Sequence, residues 1–273
     1  MFLWKTSLSI ARLTLHCYNL LHGHETINAL MQSFSNFITE GRPREMTTTI
    51  LVLLLSGCIA EAVFIVFEHR KNMLAALLLK ALASLLFVLG GIVALSLATL
   101  FPYAKLILLG LMLGAIGDVC LNLRFLLTDE AKRVFMLGIA AFLLGHVAYL
   151  VALVTRAPVT LLYALPAAAI LSFFLIRFVL SRIEVEGRIK TFGIVYLCVV
   201  FLMASVSLTL FLLQPQNTGS ALFALGGLLF AASDVLLVLG QFGRRTYRGF
   251  RALNLSLYYI GQVCICLTIA LMR

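Results

Sequence analysis

The sequence predicts an all-α bundle of about eight transmembrane helices, and three observations carry that expectation. Hydrophobic residues make up 62% of the 273 and charged residues 12%, with a mean hydropathy of +1.08. That is more apolar side chain than a water-facing surface can hide. Apolar runs recur from Thr47 to the C-terminus with only short polar connections between them. The connections alternate between strongly basic and nearly uncharged, as the loops of a multi-pass membrane protein do.

In chain order, the first run (47–67) ends at Arg70 and Lys71, and the second (73–97) carries Lys80 and Gly90-Gly91. The third (103–123) carries Asp118; Lys132 and Arg133 precede the fourth (134–154), which carries His146. The fifth (159–180) is followed by Arg182, Arg188 and Lys190, then by the sixth (192–213). The seventh (221–240) carries Asp234, and Arg244, Arg245, Arg248 and Arg251 lead into the eighth (252–272). Each run reaches the ~20 residues that span hydrocarbon, where an unpaired backbone finds no water and must be helical. The intervening loops offer little charge beyond Lys105 and Arg156, so the positive-inside rule places the four basic loops in the cytoplasm and both ends of the bundle opposite. The membrane is a cell inner membrane for a bacterial chain and an endomembrane for a eukaryotic one.

The formal charge of +10 does not point to nucleic acid, because the basic residues sit in short loops without a polar, aromatic-lined groove. They set topology and meet anionic headgroups. Of six cysteines, all but Cys17 fall inside apolar runs and none forms a CxxC pair, which makes them small buried hydrophobes. No metal site or cofactor is expected; His22 and His24 lack a third ligand nearby. Residues 1–45 stand apart from the 46–273 membrane domain. A targeting segment, an amphipathic surface helix and a reading frame begun upstream of a true start at Met46 are the three readings, the last being favoured. The stretch Leu55-Ser56-Gly57-Cys58 resembles a lipoprotein cleavage box, but a complete bundle follows it.

Gly110 lies eight residues before Asp118-Val119 and Gly226 eight residues before Asp234-Val235, on helices separated by four spans. A duplicated four-helix unit, two parallel repeats, gives this spacing; so does chance.

An aspartate near the centre of a membrane helix costs ~2.5 to 3.5 kcal/mol on insertion scales, so two of them demand partners, a cavity or a proton. At about 1.5 Å per residue, Asp118 lies ~9 Å from Arg124 and Asp234 ~15 Å from Arg244, both toward the cytoplasmic ends of their helices. Lys80 sits ~14 Å from Lys71, and Tyr258 ~10 Å from Arg251, in the same half; His146 is deeper. Lys80, Asp118, His146, Asp234 and one of Tyr258 and Tyr259 are expected to line one polar cavity, the two tyrosines facing different ways on their helix. The plainer alternatives are a structural ion pair of Lys80 with an aspartate, a lysine snorkelling to the headgroups, and a histidine satisfied by packing.

These residues resemble the YhhN-like family of multi-pass membrane proteins, which includes lysoplasmalogenase. The likeness is carried by Gly110-Leu-Met-Leu-Gly-Ala-Ile-Gly117-Asp118, by Phe142-Leu-Leu-Gly-His146-Val-Ala-Tyr149, and by Gly227-Leu-Leu-Phe-Ala-Ala-Ser233-Asp234. Lys80 and Tyr258-Tyr259-Ile-Gly-Gln262 extend it to roughly residues 46–273. The sequence departs from the family pattern in its N-terminal extension and in Ala81 after Lys80. The resemblance implies an ether hydrolase that cleaves the vinyl ether of a lysophospholipid held in the bilayer, releasing a fatty aldehyde and a glycerophospho-headgroup. Asp118 and Asp234 are the expected catalytic pair, with Lys80, His146, Tyr149, Tyr258, Tyr259 and Gln262 supporting them or the substrate. A vinyl ether hydrolyses when its β-carbon is protonated and water attacks the resulting oxocarbenium ion, chemistry suited to one carboxylic acid and one carboxylate. Which aspartate is the acid stays open. A proton-coupled transporter built on the buried pair, and a purely structural bundle, are the competing classes.

Overall fold

The computed structural model of the chain describes residues 44–185, 187–244 and 249–273. The expectations for residues 1–43, including Cys17, His22 and His24, lie outside the described residues.

Eight α-helices make up the fold among the described residues: α1 (Arg44–His69), α2 (Met73–Leu95), α3 (Phe101–Leu123), α4 (Ala131–Arg156), α5 (Thr160–Leu180), α6 (Gly187–Leu213), α7 (Thr218–Phe242) and α8 (Phe250–Leu271). All eight are long and apolar enough to cross a membrane. They coincide with the predicted runs, several reaching further at their ends, because a helix continues into the polar interface once its core turns are in hydrocarbon. Local chemistry marks the starts. Asn72 and Asn217 cap α2 and α7, their side-chain oxygens accepting from the amides of Ala75 and Ser220 at 3.2 Å. Gly249 takes φ 94° to open α8, a left-handed turn that costs glycine little.

α3 packs on α4, α7 on α8 and α1 on α2, and α8 runs through the centre against α1, α2, α3 and α7. The α7–α8 crossing is close because it pairs glycines: a Cβ on Gly226 would lie 2.9 Å from the Gly261 carbonyl oxygen. α5 touches chiefly α6 and leaves Leu162, Ile170, Phe173 and Phe174 on its outer face, suited to lipid rather than water. The neighbours of the first four helices recur in the last four: each packs on the next within its set, and α4 packs on α6 as α8 packs on α2. This pattern supports a duplicated unit, although α8 also reaches α1 and α3.

One end of the bundle gathers the α1–α2, α3–α4, α5–α6 and α7–α8 connections. Two of these are tied together there by backbone bonds, Glu184 N to the Phe242 carbonyl at 2.9 Å and Arg244 N to the Arg182 carbonyl at 3.0 Å. At the other end, Arg156 and Asn217 both donate to the Arg273 carbonyl at 2.6 Å, fixing the C-terminus. Cys58, Cys120, Cys198, Cys264 and Cys266 are free thiols.

Candidate active site

Polar residues of seven helices, all but α5, turn inward to one cluster. α3 brings Asp118 to the interior because its small face packs against α4: a Cβ on Gly117 would lie 2.6 Å from the Phe142 ring. α7 brings Asp234 in beside α8, to which it is locked one residue away. Asn254 donates its amide to the Ser233 carbonyl at 2.7 Å and to Ser233 Oγ at 2.8 Å, while Ser233 Oγ donates to the Asn254 carbonyl at 3.0 Å. Both aspartates are buried, 4% and 3% exposed, and both line one cavity of about 30 Å³ together with Lys80, Asn122, Asn254 and Tyr258. That volume has room for water and not for a lipid chain.

The two carboxyl groups live in different surroundings. Asp118 Oδ2 accepts from Ser84 Oγ at 2.6 Å and from the Tyr258 hydroxyl at 2.8 Å, and its Oδ1 faces Lys80 Nζ at 3.4 Å. Asp234 Oδ2 accepts from the Tyr196 hydroxyl at 2.8 Å and lies 3.7 Å from His146 Nε2. His146 Nδ1 is 2.7 Å from the Phe142 carbonyl, an acceptor, so Nδ1 carries a proton, and Nε2 of the neutral ring presents a lone pair toward Asp234. The imidazole is 1% exposed and packs edge-on against Phe230 at 4.5 Å. At 3.7 Å, the contact between Nε2 and Asp234 is too long for a hydrogen bond, and Nε2 has no other partner.

Lys80 does not snorkel. It is 1% exposed, bonded to Glu61 Oε1 at 2.8 Å, and its ammonium lies 4.8 Å and 5.3 Å from the ring centroids of Tyr258 and Tyr259. The pull toward two carboxylates and two ring faces exceeds what headgroup hydration offers a lysine set this deep. Tyr258 is the tyrosine that lines the cavity, as their spacing on the helix implies. Tyr259 is nevertheless part of the same cluster, buried on the Lys80 side with its hydroxyl unpartnered. Tyr149 and Gln262 form a chain leading to the site: Tyr149 donates to Gln262 Oε1 at 3.0 Å, Gln262 Nε2 to the Tyr258 hydroxyl at 3.2 Å, and Tyr258 to Asp118. Of the expected residues, His146, Tyr149, Tyr259 and Gln262 therefore stand behind the cavity wall.

Sequence reasoning missed Glu61, Ser84 and Tyr196. Glu61 carried a usable signal, an acid in the middle of an apolar run, the same signal that singled out the aspartates. A serine and a tyrosine in membrane helices carry no such signal, since either is ordinary there.

The comparisons with known proteins bear on this arrangement. No curated protein and no solved structure matches the chain. A family model does, that of the YhhN family, over residues 74–269, a segment that contains Lys80, both aspartates, His146 and the α8 tyrosines. With a match over most of its length, the chain belongs to the YhhN family of membrane proteins, which includes lysoplasmalogenases.

Proposed function

We propose that this protein is an intramembrane hydrolase that cleaves the vinyl ether bond of lysoplasmalogens, with Asp234 as the acid and Asp118 as the base. One observation carries the reading: two carboxyl groups in unlike hydrogen-bonding surroundings line a single buried cavity of water size. Asp118 receives two hydroxyl donors and faces an ammonium, the company of a carboxylate. Asp234 meets one donor and a bare imidazole nitrogen, the company of a carboxylic acid.

The reaction follows from that difference. Asp234 passes its proton to the β-carbon of the alkenyl chain, the double bond supplying the electrons, and an oxocarbenium ion forms at the ether carbon. Asp118, held by Ser84, Tyr258 and Lys80, takes a proton from the water that attacks that carbon. The resulting hemiacetal collapses as Asp118 gives its proton to the departing glycerol oxygen and Asp234 takes the hydroxyl proton, which forms the aldehyde and restores both groups. Two further features support the assignment. Burial keeps bulk water from the cation, and Lys80 is neutralised mainly by Glu61, its nearer partner, and Arg251 by Glu68, so the cavity is not left with a strong positive charge.

Purified protein in detergent, given an alkenyl lysophospholipid and its saturated alkyl-ether counterpart, tests the reading. Aldehyde release from the alkenyl lipid alone is expected, because a saturated ether offers no carbon to protonate. Equal turnover of the two lipids would reject the protonation step.

A further inference from the structure

Three cavities meet near the end of the bundle that gathers the α1–α2, α3–α4, α5–α6 and α7–α8 connections, and their walls change character in a definite order. An apolar cavity of about 60 Å³ lies among α3, α4, α5, α6 and α7, walled by Ile139, Ile176, Leu197 and Val238 among others. The polar cavity of the two aspartates adjoins it through Leu121, Phe142 and Leu237, residues common to both linings. A third cavity of about 230 Å³ shares Leu237, Arg251 and Asn254 with the polar one. Among the described residues its cations are Arg124 and Arg251, and no carboxylate lines it.

Arg124 is built into that wall rather than waving in solvent. Its Nη2 donates to Gln241 at 2.8 Å, and the guanidinium lies 4.7 Å and 4.6 Å from the ring centroids of Phe125 and Phe135. Its Nε is shielded from solvent and has no partner among the described residues. Burial and the nearby charge of Arg251 push the Arg124 group down to about 10 against the opposing pull of Glu68, so it remains a cation at neutral pH, while Glu68 is bonded to Arg251. Arg251 is held from behind by Glu68, with two bonds of 2.7 Å and 3.1 Å.

We propose that the third cavity seats the phosphate of the lysolipid between Arg124 and Arg251, while the apolar cavity takes the start of the alkenyl chain. This inference rests on the hydrolase reading and adds the pose of its substrate. The order of the compartments is the order of the groups in the molecule: chain, vinyl ether, glycerol, phosphate. Tyr196 lines the chain cavity and donates to Asp234, so the acid stands on the side where the β-carbon lies. A planar guanidinium in the cavity wall suits a phosphate oxygen better than a carbonyl or hydroxyl, because charge-assisted bonds are the stronger kind.

The test compares an alkenyl lysophospholipid with the corresponding alkenylglycerol, which lacks phosphate, in wild type, Arg124→Gln and Arg124→Lys. Wild type prefers the phospholipid in kcat/KM. In Arg124→Gln that preference falls about 10- to 100-fold, chiefly through KM, as expected for a lost bond to a charged group. Arg124→Lys, which keeps the charge but not the fork, falls between them. The preference is a ratio within one preparation, so loss of folded protein does not imitate the effect. An unchanged preference in both variants overturns the site, whereas inorganic phosphate raising alkenylglycerol turnover in an Arg124-dependent way supports it, the free anion then filling the place of the missing substrate group. Calorimetric binding of the saturated alkyl-ether lysolipid separates this proposal from the one beneath it. Arg124-dependent binding without any alkenyl cleavage keeps the anion site and removes the hydrolase; cleavage with an Arg124-independent preference keeps the hydrolase and removes the site.

Discussion

Replacing Lys80 by methionine is the most informative perturbation of the buried cluster. The ammonium lies between Glu61 at 2.8 Å and Asp118 at 3.4 Å, with all three side chains almost wholly buried. At an effective dielectric of about 20, contacts at those distances amount to about 5 to 6 kcal/mol each. Removing three charges from water costs several kcal/mol per ion, so the cluster as a whole contributes little net stability. Losing the lysine alone is different, because it strands two carboxyl groups facing each other, and the expected penalty is about 3 to 5 kcal/mol. Adding Glu61→Gln removes one of the stranded groups and should recover about 1 to 3 kcal/mol of that loss, a strongly non-additive pair. Glu61→Gln alone should cost less than Lys80→Met, since Lys80 keeps Asp118. Unfolding in sodium dodecyl sulfate, followed by labelling of the buried thiols of Cys264 and Cys266, measures all three variants. A Lys80→Met protein within about 1 kcal/mol of wild type, or a second substitution that adds its full cost, would refute the shared-lysine account.

Gly117→Ala places a methyl 2.6 Å from the Phe142 ring and should destabilise by about 1 to 3 kcal/mol, whereas Gly193→Ala, with nothing within 4 Å, should be neutral or mildly stabilising; the same thiol-labelling titration reads both. Tyr196→Phe removes the donor on Asp234 and should cost about 1 kcal/mol in stability while lowering kcat more than it raises KM. A topology reporter fused after Arg273 should appear on the non-cytoplasmic face, since the four basic loops share the opposite end; cytoplasmic signal would overturn that orientation.

Much of this architecture was legible before any coordinates, for physical reasons that also explain what was hidden. Lipid leaves backbone groups no partner but the helix, so hydropathy located α1 to α8 to within a few residues. An acid in hydrocarbon is costly, which drew attention to Asp118 and Asp234, and the rise per residue placed both at similar depth. Rotation about the helix axis was not readable, because it depends on packing such as Gly117 against Phe142 and Gly226 against Gly261, contacts between residues far apart in sequence. That is why Lys80 was open between pairing and snorkelling, and why the partners Ser84 and Tyr196 were invisible. Glu61 was overlooked although it breaks its apolar run as plainly as the aspartates break theirs.

In the proposed reaction the carboxyl groups of Asp118 and Asp234 act as one acid and base pair on a vinyl ether. Aldehyde release from an alkenyl lysophospholipid by wild type, Asp118→Asn and Asp234→Asn, each shown to be folded, tests it most directly. Each amide preserves the shape of its side chain and removes its acid-base function, so each variant should lose about 100-fold or more in kcat. Aldehyde release by both variants at the wild-type rate, or none by folded wild type, would contradict it.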